Sequence, residues 1–298
     1  MWAHLALFLV AAIYGANYSI AKIVLDDGFL RPNGFILLRV LVGASLFTLA
    51  HRLFIREGVQ RTDWPLLALC GLFGVAINQL LFFQGLHLTS PIHASLIMTT
   101  TPILVLVASV FLLKEPIGVN KLLGIFLGAA GAVWLILHSQ GSDFGHPLGD
   151  FFVFINASSY GVYLVLVKRL MLRYHPFTVV RWVFTFGLLF VLPFGLSDLA
   201  QTSWASFSEE AWWAVAYVLL FTTFVAYLFN ASAMVVVSPS VVGMYIYLQP
   251  VLAAWIALAM GKDQLDWIEV MAAMLIFGGV FLVSARRKKP VLEPGPTD

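Results

Sequence analysis

Residues 90–115 read SPIHASLIMTTTPILVLVASVFLLKE, and residues 238–263 read SPSVVGMYIYLQPVLAAWIALAMGKD. Ser90-Pro91, Pro102 and Lys114-Glu115 in the first stretch meet Ser238-Pro239, Pro250 and Lys262-Asp263 in the second, always displaced by 148 positions. Three landmarks at one offset, all within apolar sequence, point to an internal repeat of a membrane fold. Earlier segments correspond as well. Tyr14-Gly15 followed by Lys22 matches Tyr160-Gly161 followed by Lys168 at an offset of 146, and Phe35 with Arg39 matches Phe177 with Arg181 at 142. The drift absorbs changes in loop length.

Composition agrees with this reading. Apolar types make up 61% of the chain and charged types 11%, and mean hydropathy is +0.93, which excludes an ordinary soluble domain. Runs of roughly 20 apolar residues, enough to cross the hydrocarbon as a helix, are expected at 3–24, 33–54, 64–86, 90–113, 119–138, 149–168, 176–196, 211–233, 239–260 and 266–285. The fold class is therefore an all-α integral membrane protein with ten transmembrane helices. A β-barrel is excluded because these runs lack period-two alternation. The first run is too long for a signal h-region and lacks a small-residue cleavage site, so it reads as a retained span. Cys70, the single cysteine, falls inside the third span and rules out an intrachain disulfide.

Each half carries five spans: residues 1–140 form the first repeat, 147–288 the second, and 289–298 a tail. Because five is odd, the second copy enters the membrane from the opposite side. Such an inverted-topology repeat can pack in two related ways, open to either side, which is the basis of alternating access. With the N-terminus inside, the inner segments hold twelve Lys and Arg residues and the outer segments three. Both termini are expected to be cytoplasmic.

Buried polar side chains in a membrane bundle face the interior or a water-filled path. Asn156, Ser159, Tyr160 and Tyr163 share one helical face of span six, and Tyr14, Asn17 and Tyr18 share one of span one. Span three offers Asn78 and Gln79 with Phe82 one turn on. Span eight offers Thr223, Tyr227 and Asn230, and span nine offers Tyr245 and Gln249. Span four brings His93, Thr100 and Thr101 to one side, with Met98 nearby. These six spans are expected to surround a substrate cavity. For any one of these residues, simple interhelical hydrogen bonding is the competing reading. Tyrosine joins a flat apolar face to a hydrogen-bonding tip, which suits small amphipathic organic ligands.

Pro102 and Pro250 lie near mid-span. Each removes a backbone donor and frees a carbonyl that must find a partner, so both read as a kink or a hinge. Arg39 and Arg181 occupy matching repeat positions and either snorkel to headgroups or serve as gate charges for an anionic group such as a carboxylate. His93 reads as a packing histidine, with a proton relay as the alternative. All fifteen carboxylates fall in loops, tails or span ends, with Glu115, Asp263 and Glu269 nearest the bilayer. That argues against tight ion coupling, although Glu115 is kept as a coupling candidate. Spans five and ten carry Gly124, Gly128 and Gly131 and Ala272, Gly278 and Gly279 in place of polar clusters. Such small residues permit close helix packing or a homodimer through the fifth and tenth helices.

Two five-span units, Tyr14-Gly15-Ala16-Asn17-Tyr18 in span one, Phe35-Ile36-Leu37-Leu38-Arg39 in span two, prolines in spans four and nine, and Lys114-Glu115-Pro116 together resemble the EamA family of the drug/metabolite transporter superfamily. The family commonly has tryptophan where this chain has Tyr14, and a glutamate closing span nine where it has Asp263. The resemblance implies a cytoplasmic-membrane carrier, usually an exporter of amino acids, related metabolites or organic cations. Three other readings compete. A nucleotide-sugar or phosphorylated-metabolite exchanger would want more cations at depth. An intramembrane metalloprotease would need a His-Glu-x-x-His pattern, which is lacking. A structural membrane protein would have no use for matched polar faces. The expected partners are the lipid bilayer and a small-molecule substrate, with no nucleic acid, no cofactor, no metal and no enzymatic activity.

Overall fold

Proline opens helix after helix in this chain. It lacks the N–H that a first turn leaves unbonded anyway, and its φ already suits a helix. The computed structural model describes residues 2–55, 57–114, 118–138, 146–226, 229, 233, 245, 248–261 and 264–284. Helix α1 spans Trp2–Asp26, and α2 spans Pro32–Phe54. The third span is α3 (Trp64–Gly71), a π-helical segment Leu72–Ile77 and α4 (Asn78–Leu88). The fourth is broken into α5 (Pro91–Met98) and α6 (Thr101–Leu113). Then come α7 (Val119–His138), α8 (Pro147–Met171) and α9 (Pro176–Ala200). Helix α10 (Glu209–Tyr217) runs into a second π segment, Val218–Val225. The described chain ends with α11 (Leu248–Ala259) and α12 (Trp267–Ser284). Side-chain caps finish several starts: Ser90 Oγ accepts from His93 N and Ser208 Oγ from Ala211 N, both at 3.1 Å.

Six helices or helix runs are long and apolar enough to cross a membrane by length and composition: Trp2–Asp26, Pro32–Phe54, Arg61–Leu88, Pro91–Leu112, Pro147–Met171 and Pro176–Ala200. Shorter apolar helices at Val119–Leu135, Leu248–Ala259 and Trp267–Leu282 stand where spans five, nine and ten are expected. Helix α10 with its π continuation stands for span eight. Phe54, Phe111, Trp213 and Phe281 are more than 70% exposed. Such an apolar exterior fits hydrocarbon and is far larger than a soluble surface tolerates.

Packing is paired. Helix α2 lies along α9, α7 along α12, and α1 along α11, while α8 packs on both α4 and α6. Phe35, Phe47, Phe83 and Phe184 are fully buried, with Phe35 edge-on to Phe83 at 5.1 Å and Phe47 tilted on Phe184 at 5.2 Å. Glycine sets the closest approaches. A Cβ at Gly15 would stand 2.9 Å from Leu252 Cβ, and one at Gly161 would stand 3.1 Å from the Leu104 backbone. The two Tyr-Gly motifs therefore occupy equivalent contacts, α1 on α11 and α8 on α6. The glycine faces of spans five and ten meet each other within the chain: Gly279 lies against Gly124 and Gly128, and Gly131 against Ile276. Gly278 faces Leu127, and Ala272 is buried.

Candidate functional site

Asn78 and Gln79 stand where the π segment Leu72–Ile77 passes into α4. A π turn takes backbone groups out of the regular ladder, and α8 supplies partners for them. Ser159 Oγ donates to the Phe73 carbonyl at 2.6 Å. Asn156 Nδ2 donates to the Asn78 carbonyl at 2.5 Å, and Asn78 Nδ2 to the Asn156 carbonyl at 3.4 Å. Much of the polar capacity of Asn78 and Asn156 is therefore used in clasping α4 to α8. On the other side of the bundle, Tyr217 Oη donates to the Ile13 carbonyl at 2.8 Å and ties α10 to α1.

What remains unsatisfied defines the candidate site. Asn17 Oδ1, Gln79 Oε1 and Asn156 Oδ1 are buried and have no hydrogen-bond partner among the described residues. On the same helices, Tyr18 meets Phe82 edge-on at 5.6 Å and Tyr160 stacks on Tyr163 at 5.7 Å. Tyr18 on Phe82 thus joins α1 to α4 beside Asn17 and Gln79, and Asn78 with Asn156 joins α4 to α8, where Tyr160 and Tyr163 follow on the same face as Asn156. Tyr14 and Gln249 are half-buried and lie on the seam between α1 and α11, where the Gln249 carbonyl passes close to Gly15. Tyr245 is used elsewhere, its hydroxyl 3.0 Å from His4 Nδ1. Tyr227, Asn230 and Glu115 lie outside the described residues.

The break in span four is built from its own threonines. Pro102 cannot donate to the Met98 carbonyl, and Thr101 Oγ1 does so instead at 2.5 Å. Thr100 Oγ1 donates to Ile97 O at 2.7 Å, and Thr99 Oγ1 to Ser95 O at 2.9 Å. The carbonyl freed by the proline is therefore satisfied locally and does not open onto a polar cavity. Helix α5 ends here and α6 starts, so Pro102 occupies the first turn of a new helix. Pro250 is buried near the start of described α11.

Arg39 does not snorkel. It is 8% exposed, donates through Nε to Thr223 Oγ1 in the second π segment at 3.1 Å, and lies 5.7 Å from the centre of the Phe83 ring. Its counterpart Arg181 reaches His51 Nδ1 at 3.0 Å and stacks over Trp182 at 5.0 Å. Arg181 Nε, His51 Nε2 and Thr178 Oγ1 are left without partners among the described residues.

Two of the carboxylates at span ends are buried. Asp150, in the first turn of α8, is fully buried, and Glu269, in the first turn of α12, is 3% exposed. Thr89 Oγ1 donates to Asp150 Oδ1, His93 Nδ1 donates to Asp150 Oδ2 at 2.9 Å, and His93 Nε2 stands 3.5 Å from Glu269 Oε1. Span ten therefore does contribute to a polar cluster. Nothing local marks Asp150, since its partner is 57 positions away. For Glu269 a signal exists: Asp266-x-x-Glu269 is a capping pair, with reciprocal bonds of 2.9 and 3.1 Å.

Among the described residues, no group of three or more His, Cys, Asp or Glu side chains is arranged to hold a metal ion. A groove of about 330 Å³ between α1 and α10 is lined by Ile20, Ile23, Trp213, Tyr217 and Phe221, apolar but for Glu210 at its edge. Asn17, Gln79 and Asn156 are not among its lining residues.

One family description, EamA-like transporter family, matches residues 1–137 and again residues 147–285. The chain belongs to the EamA-like transporter family. The chain is similar to the uncharacterized transporter YetK of Bacillus subtilis, 25% identical over 99% of this chain and 90% of the relative. An uncharacterized transporter of Archaeoglobus fulgidus is 27% identical over 95% of this chain and 98% of its own length. The uncharacterized inner membrane transporter YedA of Escherichia coli is 27% identical over 97% and 94%. A crystal structure at 21% identity superposes with a TM-score of 0.61 over 94% of this chain and 96% of its own, which shows a shared fold. The protein is thus a multi-pass membrane protein of a transporter family.

Proposed function

We propose that this protein is an alternating-access carrier that exports small amphipathic metabolites, amino acids (aromatic ones included) or organic cations, across the cytoplasmic membrane. The observation that carries this reading is the set of three buried amide oxygens without partners, on Asn17, Gln79 and Asn156, carried by the same helices as the Tyr18–Phe82 and Tyr160–Tyr163 ring pairs. A buried acceptor without a donor is costly. A ligand that brings N–H groups, an ammonium above all, offsets that cost, while an aromatic or aliphatic body packs on the rings. The unpartnered donors at Arg181, His51 and Thr178 suit the carboxylate of a zwitterion at one mouth. A nucleotide-sugar or phosphate ligand would be repelled by three carbonyl-type acceptors.

The inverted arrangement of two units, 1–140 and 147–288, has several supports. The family description matches twice, and the two π segments, Leu72–Ile77 and Val218–Val225, start 146 positions apart. Gly15 and Gly161 occupy equivalent contacts, and the helix pairings map onto themselves when the halves are exchanged. YedA is described as an inner membrane transporter, which supports that location here. A homodimer, in this reading, would use faces other than the glycines that α7 and α12 already share.

Reconstituted in liposomes, the protein is expected to move members of a panel of amino acids and organic cations down their gradients. Gln79→Leu and Asn17→Leu should abolish or strongly slow that flux in protein that remains folded. A panel without flux in either direction overturns the transport reading. Cysteines placed at Arg61 and Gln201 should react with impermeant reagent from the cytoplasmic and outer sides respectively; the reverse pattern overturns the orientation.

A further inference from the structure

We propose that His93, Asp150 and Glu269 form a binding site for one exchangeable proton, and that its occupancy controls how α5 docks on the second half of the molecule. The three side chains come from α5, α8 and α12, and each is at least 95% buried. The two ring nitrogens of His93 face two different carboxylates, Asp150 at 2.9 Å and Glu269 at 3.5 Å. A metal needs lone pairs that converge. Here they point in opposite directions from one ring, and the ligand common to all three groups is a proton.

The charge balance requires it. With both carboxylates ionised, an imidazolium leaves the cluster at a net charge of −1, and a neutral imidazole leaves it at −2. In a medium of low dielectric the second arrangement is far costlier. The two sides are not equivalent. Asp150 is held on both oxygens, by Thr89 and by His93, in the first turn of α8, where the helix dipole favours an anion. Glu269 has Oε2 tied to the backbone N–H of Asp266, while Oε1 stands at the longer distance from Nε2. The exchangeable proton is therefore the one between Nε2 and Oε1. The N–H bond breaks, its electron pair stays on the ring as a lone pair, and an O–H bond forms on Glu269 or the proton passes to water. Exposed His146 and Asp266 stand four and three residues before Asp150 and Glu269, so water is about one helical turn away.

Other helices packed against α5 bring few competing charges. Lys22 and Asp26 of α1 pair with each other at 3.4 Å, α4 ends near exposed His87, and α7 carries Lys121 and His138, the latter bonded to the Trp134 carbonyl at 2.9 Å. Described α11 has no titratable side chain. Helix α5 is eight residues long and joins α6 only through the Thr99-Thr100 break. An imidazolium between two carboxylates holds this short lever against α8 and α12, and loss of its charge loosens it.

The test uses the full chain in lipid nanodiscs without any substrate. Nitrogen-15 spectra of histidine-labelled protein, with His93→Asn for assignment, should show His93 exchanging a proton between pH 5 and 9. Ser95→Cys in a Cys70→Ala background should be labelled by an impermeant maleimide faster on the high-pH side of that step, after correction for reagent reactivity. Glu269→Gln and Asp150→Asn should each remove the pH dependence. A His93 that keeps one protonation state across the range, with labelling indifferent to pH, overturns the proposal. If Asp150→Asn fails to fold, the wild-type spectra and Glu269→Gln still decide. Failure here leaves the transport reading standing, and an inactive substrate panel leaves this titration intact.

Discussion

Two arginines at matching positions, Arg31 and Arg173, tie loops at opposite ends of the bundle, and they do so very differently. Arg173 Nη1 donates to both oxygens of Asp63, at 2.9 and 3.0 Å, Tyr174 Oη donates to the same carboxylate at 2.7 Å, and the His175 N–H donates to Glu57 at 2.9 Å. The Arg31 side chain, 67% exposed, makes one ion pair among the described residues, 3.4 Å from Asp198. One end is laced by several charge-assisted bonds onto a buried acid, and the other rests on one long surface pair. In a carrier that opens at alternate ends, that difference is what one closed mouth and one poised mouth would look like.

The largest effect is expected at Asp63. Asp63→Ala removes the acceptor of three bonds, and charge-assisted bonds of this kind contribute about 2–3 kcal/mol once the partial exposure of Arg173 is allowed for. Thermal unfolding in detergent should register that loss. A cysteine at Thr178, buried at the same end, should become reactive in the Asp63→Ala background and stay protected without it. Unchanged stability would mean that this end is not held by its charges.

A second test asks whether the two halves pivot alike. Gly15→Leu and Gly161→Leu each drive a side chain into a neighbour that already stands about 3 Å from the position of a Cβ. Overpacking of this type costs about 1–3 kcal/mol. Equal losses would sharpen the match between halves, whereas a large cost at one site and none at the other would break it. A smaller effect is expected at the break in span four. Thr101→Val leaves the Met98 carbonyl buried without its donor, a loss of about 1–2 kcal/mol, and Thr101→Ser should restore it. Melting temperatures of the three proteins decide this.

These contacts also mark how far sequence reasoning reached. The constant offsets placed the spans, and Pro102 announced an interruption, because proline's missing N–H acts wherever it stands. The threonines that complete the break were visible only as polar residues. The π segments have no period of their own to read, so Asn78 and Asn156 appeared as ligand groups when half their bonding clasps α4 to α8. Asn17 and Gln79 read from sequence as polar side chains within spans, and both are buried. The His93, Asp150 and Glu269 cluster was not, since it joins three helix starts from distant parts of the chain and each residue alone resembles a span end. Arg39 shows the converse: the sequence places it within a span, but its partner Thr223 depends on how span eight turns within a π segment.

The smallest expected effect belongs to the other arginine. Arg31→Ala should change stability by no more than about 0.5–1 kcal/mol, and added salt should erase even that, because the pair is exposed and carries one contact. Glu209 follows Asp63 by 146 positions, the spacing that also separates the two π segments, and it is exposed and forms no ion pair among the described residues. The acid that would make this end resemble the tight one is thus present but unengaged, while Arg31 rests on Asp198 instead. A double-mutant cycle on Arg31 and Glu209 should therefore give no coupling under conditions where the Asp63 end is closed. Coupling should emerge in the Asp63→Ala background, where the tight end is released. Coupling of equal size in both backgrounds would show that the two ends do not trade places, and the contrast between them would then be only one of solvent exposure.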